Sequence, residues 1–253
     1  MNLFLIKTLI KMTDENLTNT SDLIVKKLIE HIVRNDFAQN VLPSENDLCK
    51  KFEVSRTTLR AALQTLAAKG IIRKQPKKKA EILNREEWDW FDPKLIEYAK
   101  ASIDKNELLY HACALRLTFE PKASALCALN SNFSDLTDLD LGNKLMIEAI
   151  KNGDHEQFTK GDIKFHRAIF RGTHNPFFMR LCDLILHTSL LSIENTVESK
   201  IEDLKQAVEE HNVLMEAIRF KQADKAQSVM HQILLDAIIK IFPQNVPNYY
   251  DII

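Results

Sequence analysis

Glycine is scarce, with 5 residues in 253. Phosphate-cradling loops and tight hairpins both rely on it, because it alone enters the left-handed region without strain. Neither Gly-x-Gly-x-x-Gly nor Gly-Lys-Ser/Thr occurs, so P-loop and dinucleotide chemistry are not expected and a helical protein is. The four cysteines, Cys49, Cys113, Cys127 and Cys182, form no Cys-x-x-Cys pair. Each falls in an apolar helical pattern, which fits small buried side chains in a reducing cytoplasm rather than a zinc knuckle or disulfide framework. Long apolar runs are missing too. The opening "MNLFLIKTLIKM" is broken by Lys7 and has no small-residue cleavage site behind it, whereas a membrane-crossing helix needs roughly 20 apolar residues. We expect a lead-in to the first helix, or an upstream start with Met12 as initiator, and no membrane partner.

Neither charge dominates: 34 Lys and Arg stand against 35 Asp and Glu, for a net charge of −1. The balance is uneven along the chain, however. From Lys69 to Lys79 there is no acid at all, and Lys74, Lys77, Lys78 and Lys79 gather there. With 45% hydrophobic residues the chain can build two cores. The patterning predicts a mainly α protein: an N-terminal winged helix-turn-helix over 18–84, a linker and first helix over 85–105, and a C-terminal all-helical bundle over 106–242.

In the first part, Ile24, Leu28 and Ile32 recur at helical spacing behind Ser21 or Asp22 as cap. Ser44 and Asp47 have the spacing of a capping box for a short helix through Phe52. Glu53-Val54 turns, and Ser55 caps a helix carrying Leu59, Leu63 and Leu66 that stops at Gly70. "IIRKQ" and "AEIL" read as short strands around "PKKK". A recognition helix enters the major groove by its N-terminal end. Arg56 there can donate bidentately to guanine, Thr57 and Thr58 can reach phosphate or a thymine methyl, and Arg60 follows one turn on. The wing lysines supply point charges for the DNA backbone. Downstream, "NREEWDWFDPK" reads as a linker anchored by its two tryptophans, with Pro93 opening a helix.

"LPSENDLCKKFEVSRTTLRAALQTLAAKGII" resembles the DNA-binding domain of GntR-superfamily transcription regulators, with their Leu-Pro-Ser-Glu and Ser-Arg-x-Thr-x-Arg motifs. The resemblance implies double-stranded operator DNA as partner and adds Ser44 and Asn46 to the DNA-binding residues. Asn46 stands where the family usually has arginine, and Lys77 and Lys79 replace the wing's usual glycines. Both departures favour backbone over base contacts.

Beyond residue 83 only helical patterns follow. Asp162 and His166 leave one helix face at i, i+4, and His211 lies on a later helix. The types suit an oxygen and nitrogen metal site; a core histidine and a helix ion pair explain the same spacing. Arg116 and Glu120 likewise read first as a helix salt bridge. "RLTFEP", "DIKFH" with "NP" after it, and "EHNVLMEAI" resemble, in order and spacing, the ligand-binding FCD domain of the FadR-like branch of the same superfamily. That resemblance implies a divalent metal (zinc or similar) on Asp162, His166 and His211, and a small carboxylate effector gripped by the metal and Arg116. The branch's last histidine falls at Ile233; His231, two positions away, points about 200° around the helix. The alternative is a metal-free polar site on the same residues.

"WDWFDPKLIEYA" and "THNPFF" resemble the subgroup that represses sugar-acid catabolism, which implies an effector such as galactonate. The expectation is a cytoplasmic, homodimeric, effector-controlled repressor and not an enzyme. Its competitors are a metal-dependent hydrolase built on Asp162, His166 and His211, and a nucleic-acid architectural protein with a purely structural bundle.

Overall fold

The computed structural model describes residues 20–75, 78–99, 102–196 and 201–242. The opening run from Met1 to Met12 and the wing residue Lys77 lie outside the described residues. The chain divides into two compact units, with the boundary between Asp104 and Lys105.

The first unit begins with helix α1 (20–33), which buries Ile24, Leu28 and Ile32 on one side as the spacing predicts. The expected cap does not hold. The helix already includes Thr20, so Ser21 and Asp22 lie inside it, and Asp22 instead accepts a hydrogen bond from the Tyr98 hydroxyl at 3.0 Å. Ser44 does cap α2 (Glu45–Phe52), accepting from the Asp47 amide at 3.2 Å. The turn at Glu53 is left-handed, with φ 54°. Ser55 then accepts from the Thr58 amide at 3.1 Å to start α3 (Arg56–Ala68), whose Leu59, Leu63 and Leu66 are buried. Gly70 ends this stretch at φ +67°, and a Cβ there would lie 2.5 Å from the Glu87 carbonyl oxygen. Only glycine satisfies both conditions.

The strands are shorter than the sequence suggested: β1 (Ile72–Arg73) pairs antiparallel with β2 (Glu81–Ile82), and Val41 bridges to Glu81. After them Trp88 is buried and stacks on Trp90 at 5.6 Å, the aromatic anchor expected of this segment. Helix α4 (Pro93–Ala99) opens on proline, with Asp92 accepting from the Lys94 amide at 2.8 Å. The buried Lys69 ammonium pairs with Asp92 and lies 5.7 Å from the Tyr98 ring centre. Burial tends to raise the Asp92 carboxyl, but Lys69 outweighs it and holds the group below its usual range. Hence α4 is tied by charge to the end of α3.

The second unit is a bundle of α5 (Lys105–Asn130), α6 (Phe133–Asn152), α7 (His155–Gly172), α8 (Pro176–Thr196), α9 (Ile201–Arg219) and α10 (Ala223–Ile241). No strand occurs beyond Ile82 among the described residues. Asn132 and Asp135 form a reciprocal capping box at the start of α6. Helices α6 and α7 approach closely through Gly142 and Gly161: a Cβ on the first would meet the Phe165 amide nitrogen at 2.7 Å, and on the second the Met146 nitrogen at 2.8 Å. Large side chains are excluded from that line of contact. Cys113, Cys127 and Cys182 are buried free thiols; Cys49 is only half-buried. No described helix is long and apolar enough to cross a membrane.

Candidate nucleic-acid interface and candidate metal centre

The first unit carries an exposed basic face. Arg56 and Thr57 lie exposed at the start of α3, and Arg60 follows one turn later. Arg60 Nε donates to Glu45 Oε2 at 2.9 Å, and Lys74 Nζ lies 3.8 Å from Glu45 Oε1. One carboxylate on α2 therefore orients a cation on α3 and another beside β1. Asn46, Lys78 and Lys79 are exposed, and the half-buried Ser44 is engaged at its cap. Thr58 does not lie on that face as the sequence suggests. Two positions beyond Arg56 on a helix is about 200° of rotation, so Thr58 faces inward, buried, with its hydroxyl 2.9 Å from that of Ser55. It belongs to the cap that holds α3 and not to the exposed face.

The second unit holds a buried charge network. Arg116 and Glu120 extend from α5, Asp162 and His166 from α7, and His211 from α9. Arg116 Nε donates to Glu120 Oε1 at 2.6 Å, while the other carboxylate oxygen accepts from His166 Nδ1. His211 Nδ1 donates to the Ala207 carbonyl at 2.7 Å, which leaves its Nε2 with a lone pair. That Nε2 lies 3.4 Å from His166 Nε2 and 3.3 Å from Asp162 Oδ1, and His166 Nε2 is 3.6 Å from the same oxygen. Phe165 packs on the His211 ring at 4.8 Å between centres.

Burial by itself would push both carboxyls up. For Glu120 the charges of Arg116 and His166 outweigh it, bringing the group to about 2. For Asp162, His166 and Arg116 do the same, and it sits far below the carboxylate range. Burial would lower His166, but Glu120 and Asp162 raise it. With His166 protonated, two cations and two carboxylates balance.

One ligand atom from each of Asp162, His166 and His211 lies within 4.8 Å of the others, close enough to share one cation. Each histidine is also oriented from behind, one by a carboxylate and one by a backbone carbonyl, as ligating imidazoles are. This donor set fits a divalent metal. Ile233, at the position of the branch's last histidine, is buried, and His231 is half-buried. Glu120 has a second role that sequence spacing does not show, as partner of both Arg116 and His166. Its i, i+4 partner Arg116 was visible in sequence, but nothing there links it to His166, 46 positions away.

The chain matches two family models: "Bacterial regulatory proteins, gntR family" over residues 20–82 and "FCD domain" over 111–236. It is 28% identical over 210 residues to the galactonate operon transcriptional repressor of Escherichia coli, covering 83% of this chain and 91% of that one. It is 27% identical over 212 residues to the HTH-type transcriptional repressor NanR of Cronobacter sakazakii, covering 83% and 80%. Among solved structures it superposes with a TM-score of 0.62 on Lar, which controls the Listeria monocytogenes agr system, at 18% identity, over 89% of this chain and 97% of that one. This last likeness is one of fold.

Proposed function

Because the chain belongs to the GntR family of regulators and carries an FCD domain as its helical bundle, we propose that it is a repressor whose hold on operator DNA is controlled by a small carboxylate, a sugar acid such as galactonate, bound in that bundle. The protein is a DNA-binding transcription regulator and not an enzyme. The observation that carries the effector reading is the convergence of Asp162 Oδ1, His166 Nε2 and His211 Nε2 beside an arginine oriented by Glu120. A buried set of this kind is costly to maintain, and ligand binding is the use that justifies it.

In this reading Asp162, His166 and His211 hold a divalent metal, and Arg116 pairs the effector's carboxylate. When bound, the metal supplies a compact positive charge for that carboxylate. Glu120 keeps the Nδ1 proton of His166 in place and fixes the ring, so that Nε2 faces the site. On the DNA side, Arg56, Thr57 and Arg60 enter the major groove while Lys74, Lys78 and Lys79 meet phosphates; a cytoplasmic homodimer presents two such helices about one DNA turn apart. The effector controls affinity by binding one arrangement of the dimer better than the other. The likeness to the galactonate operon repressor supports a hexonate.

Thermal unfolding against a panel of sugar acids, with and without EDTA, tests this. A ligand at 100 times its dissociation constant stabilises by about 2.7 kcal/mol. We expect one hexonate to raise the midpoint and EDTA to abolish the rise. A rise that survives EDTA transfers the effector to a metal-free site on the same residues. No rise with any sugar acid removes that effector class.

A further inference from the structure

Glu45 opens α2, where an acid commonly serves the helix's own N-terminus. That need is already met: Ser44 accepts from the Asp47 amide at 3.2 Å, and its hydroxyl donates to Asp47 Oδ2 at 2.5 Å. The half-buried Glu45 instead reaches across two elements. Its Oε2 accepts from Arg60 Nε on α3 at 2.9 Å, and its Oε1 lies 3.8 Å from Lys74 Nζ, just after β1. Both cations are exposed, on the basic face that begins at Arg56 and Thr57. A carboxylate among them weakens the attraction of that face for a polyanion, so its place there calls for a return. We propose that Glu45 is a specificity-determining residue, which holds Arg60 as a base reader and suppresses binding to DNA of the wrong sequence.

Glu45 engages Nε and leaves the two terminal nitrogens of Arg60 with four N–H donors in a planar fork. That fork is the part that pairs with O6 and N7 of one guanine. A carboxylate behind it restrains the arginine before DNA arrives, so less side-chain freedom is lost on binding. Specific recognition therefore keeps every donor it uses.

Non-specific binding does not, because it depends on how many cations face phosphates and displace counterions. Beside Glu45, Arg60 and Lys74 together contribute one net positive charge instead of two. Lys74 has no fork to gain from the contact; its ammonium is a point charge, and Glu45 offsets it without aiming it. The triad thus attracts less and discriminates more, since specificity is a difference of affinities and an unfavourable term against wrong partners widens it. The proposal rests on the exposed face of α3 being the one that reads DNA.

Fluorescence anisotropy tests it with two probes: a duplex enriched by the native protein from a random-sequence pool, and a random-sequence duplex of the same length. Glu45→Gln is expected to bind the random duplex more tightly, with a salt slope steeper by about 1. The ratio of enriched to random affinity is expected to fall about five- to tenfold, the low end of what one bidentate arginine supplies. A folding defect lowers both affinities together and leaves the ratio alone. Glu81→Gln removes the same charge from an exposed pair with Arg73, off α3, and is expected to leave the ratio nearly unchanged. Arg60→Lys keeps the charge and loses the fork, so it is expected to lower the ratio without steepening the slope. Adding Glu45→Gln to it is expected to lower the ratio no further. An unchanged ratio for Glu45→Gln, or a fall no larger than that of Glu81→Gln, overturns the proposal while Arg56→Ala and Arg60→Lys still lower the ratio. If those two leave it unchanged as well, the face itself does not read DNA and the reading beneath the proposal falls with it.

Discussion

In the winged helix, Arg60 meets Glu45 at 2.9 Å, with the arginine side chain 63% exposed; in the bundle, Arg116 meets Glu120 at 2.6 Å, with the glutamate 1% exposed. The chemistry of the two pairs is the same and the energetics are not. An exposed pair is screened by water and salt and contributes about 0–1 kcal/mol, so its partners are easily lent to a phosphate. The buried pair has lost its hydration, and every member depends on the others: Glu120 neutralises Arg116 and also holds His166. The first arrangement suits a surface that must bind and release a long polyanion. The second suits a site that must keep its geometry before a small ligand arrives.

The largest test of that contrast is to remove the two glutamates in turn. Glu120→Ala strands a buried arginine and histidine and is expected to cost ~3–5 kcal/mol, whereas Glu45→Ala is expected to cost less than ~1 kcal/mol. Urea midpoints at neutral pH measure both, and equal losses would erase the distinction. Acid comes next. The Glu120 carboxyl is depressed from 4.5 to about 2 in the folded protein, so its contribution is present above about 4.5 and lost as pH falls toward 2. The shift corresponds to about 3 kcal/mol. Glu120→Gln is expected to flatten that acid limb in urea titrations. His166 is raised, so its contribution is present below its unfolded value near 6.5 and lost as pH climbs through the higher folded value.

Arg56→Ala is expected to cost ~1–3 kcal/mol of specific DNA affinity by anisotropy and to blur one base position, without moving the urea midpoint. Unchanged affinity would displace the recognition helix from the groove. The smallest effect is that of Lys78→Ala, expected to weaken all sequences alike and reduce the salt slope by about 1.

Caps and apolar spacing made α2 and α3 legible in sequence, and helical patterning alone the all-helical character of the bundle, because they act over a few neighbouring residues. Hidden features depended on distant partners. Asp22 left its capping role for Tyr98, 76 positions on. Thr58 differs, since winding the helix by itself turns its hydroxyl to Ser55, three residues back. Asp162 and His166 were visible as a pair, since one turn of helix aligns them.

By itself, then, the sequence determined the helical character, the caps of α2 and α3, the basic face of the winged helix and the residue types available for a cation site. Packing alone decided that Glu120 joins Arg116 to His166, that His211 turns Nε2 toward Asp162, and that Glu45 meets both Arg60 and Lys74. The physical reason is range. Hydrogen bonds within a turn are specified by spacing, but the desolvation and mutual pairing of charges from α5, α7 and α9 exist only once the bundle has closed around them.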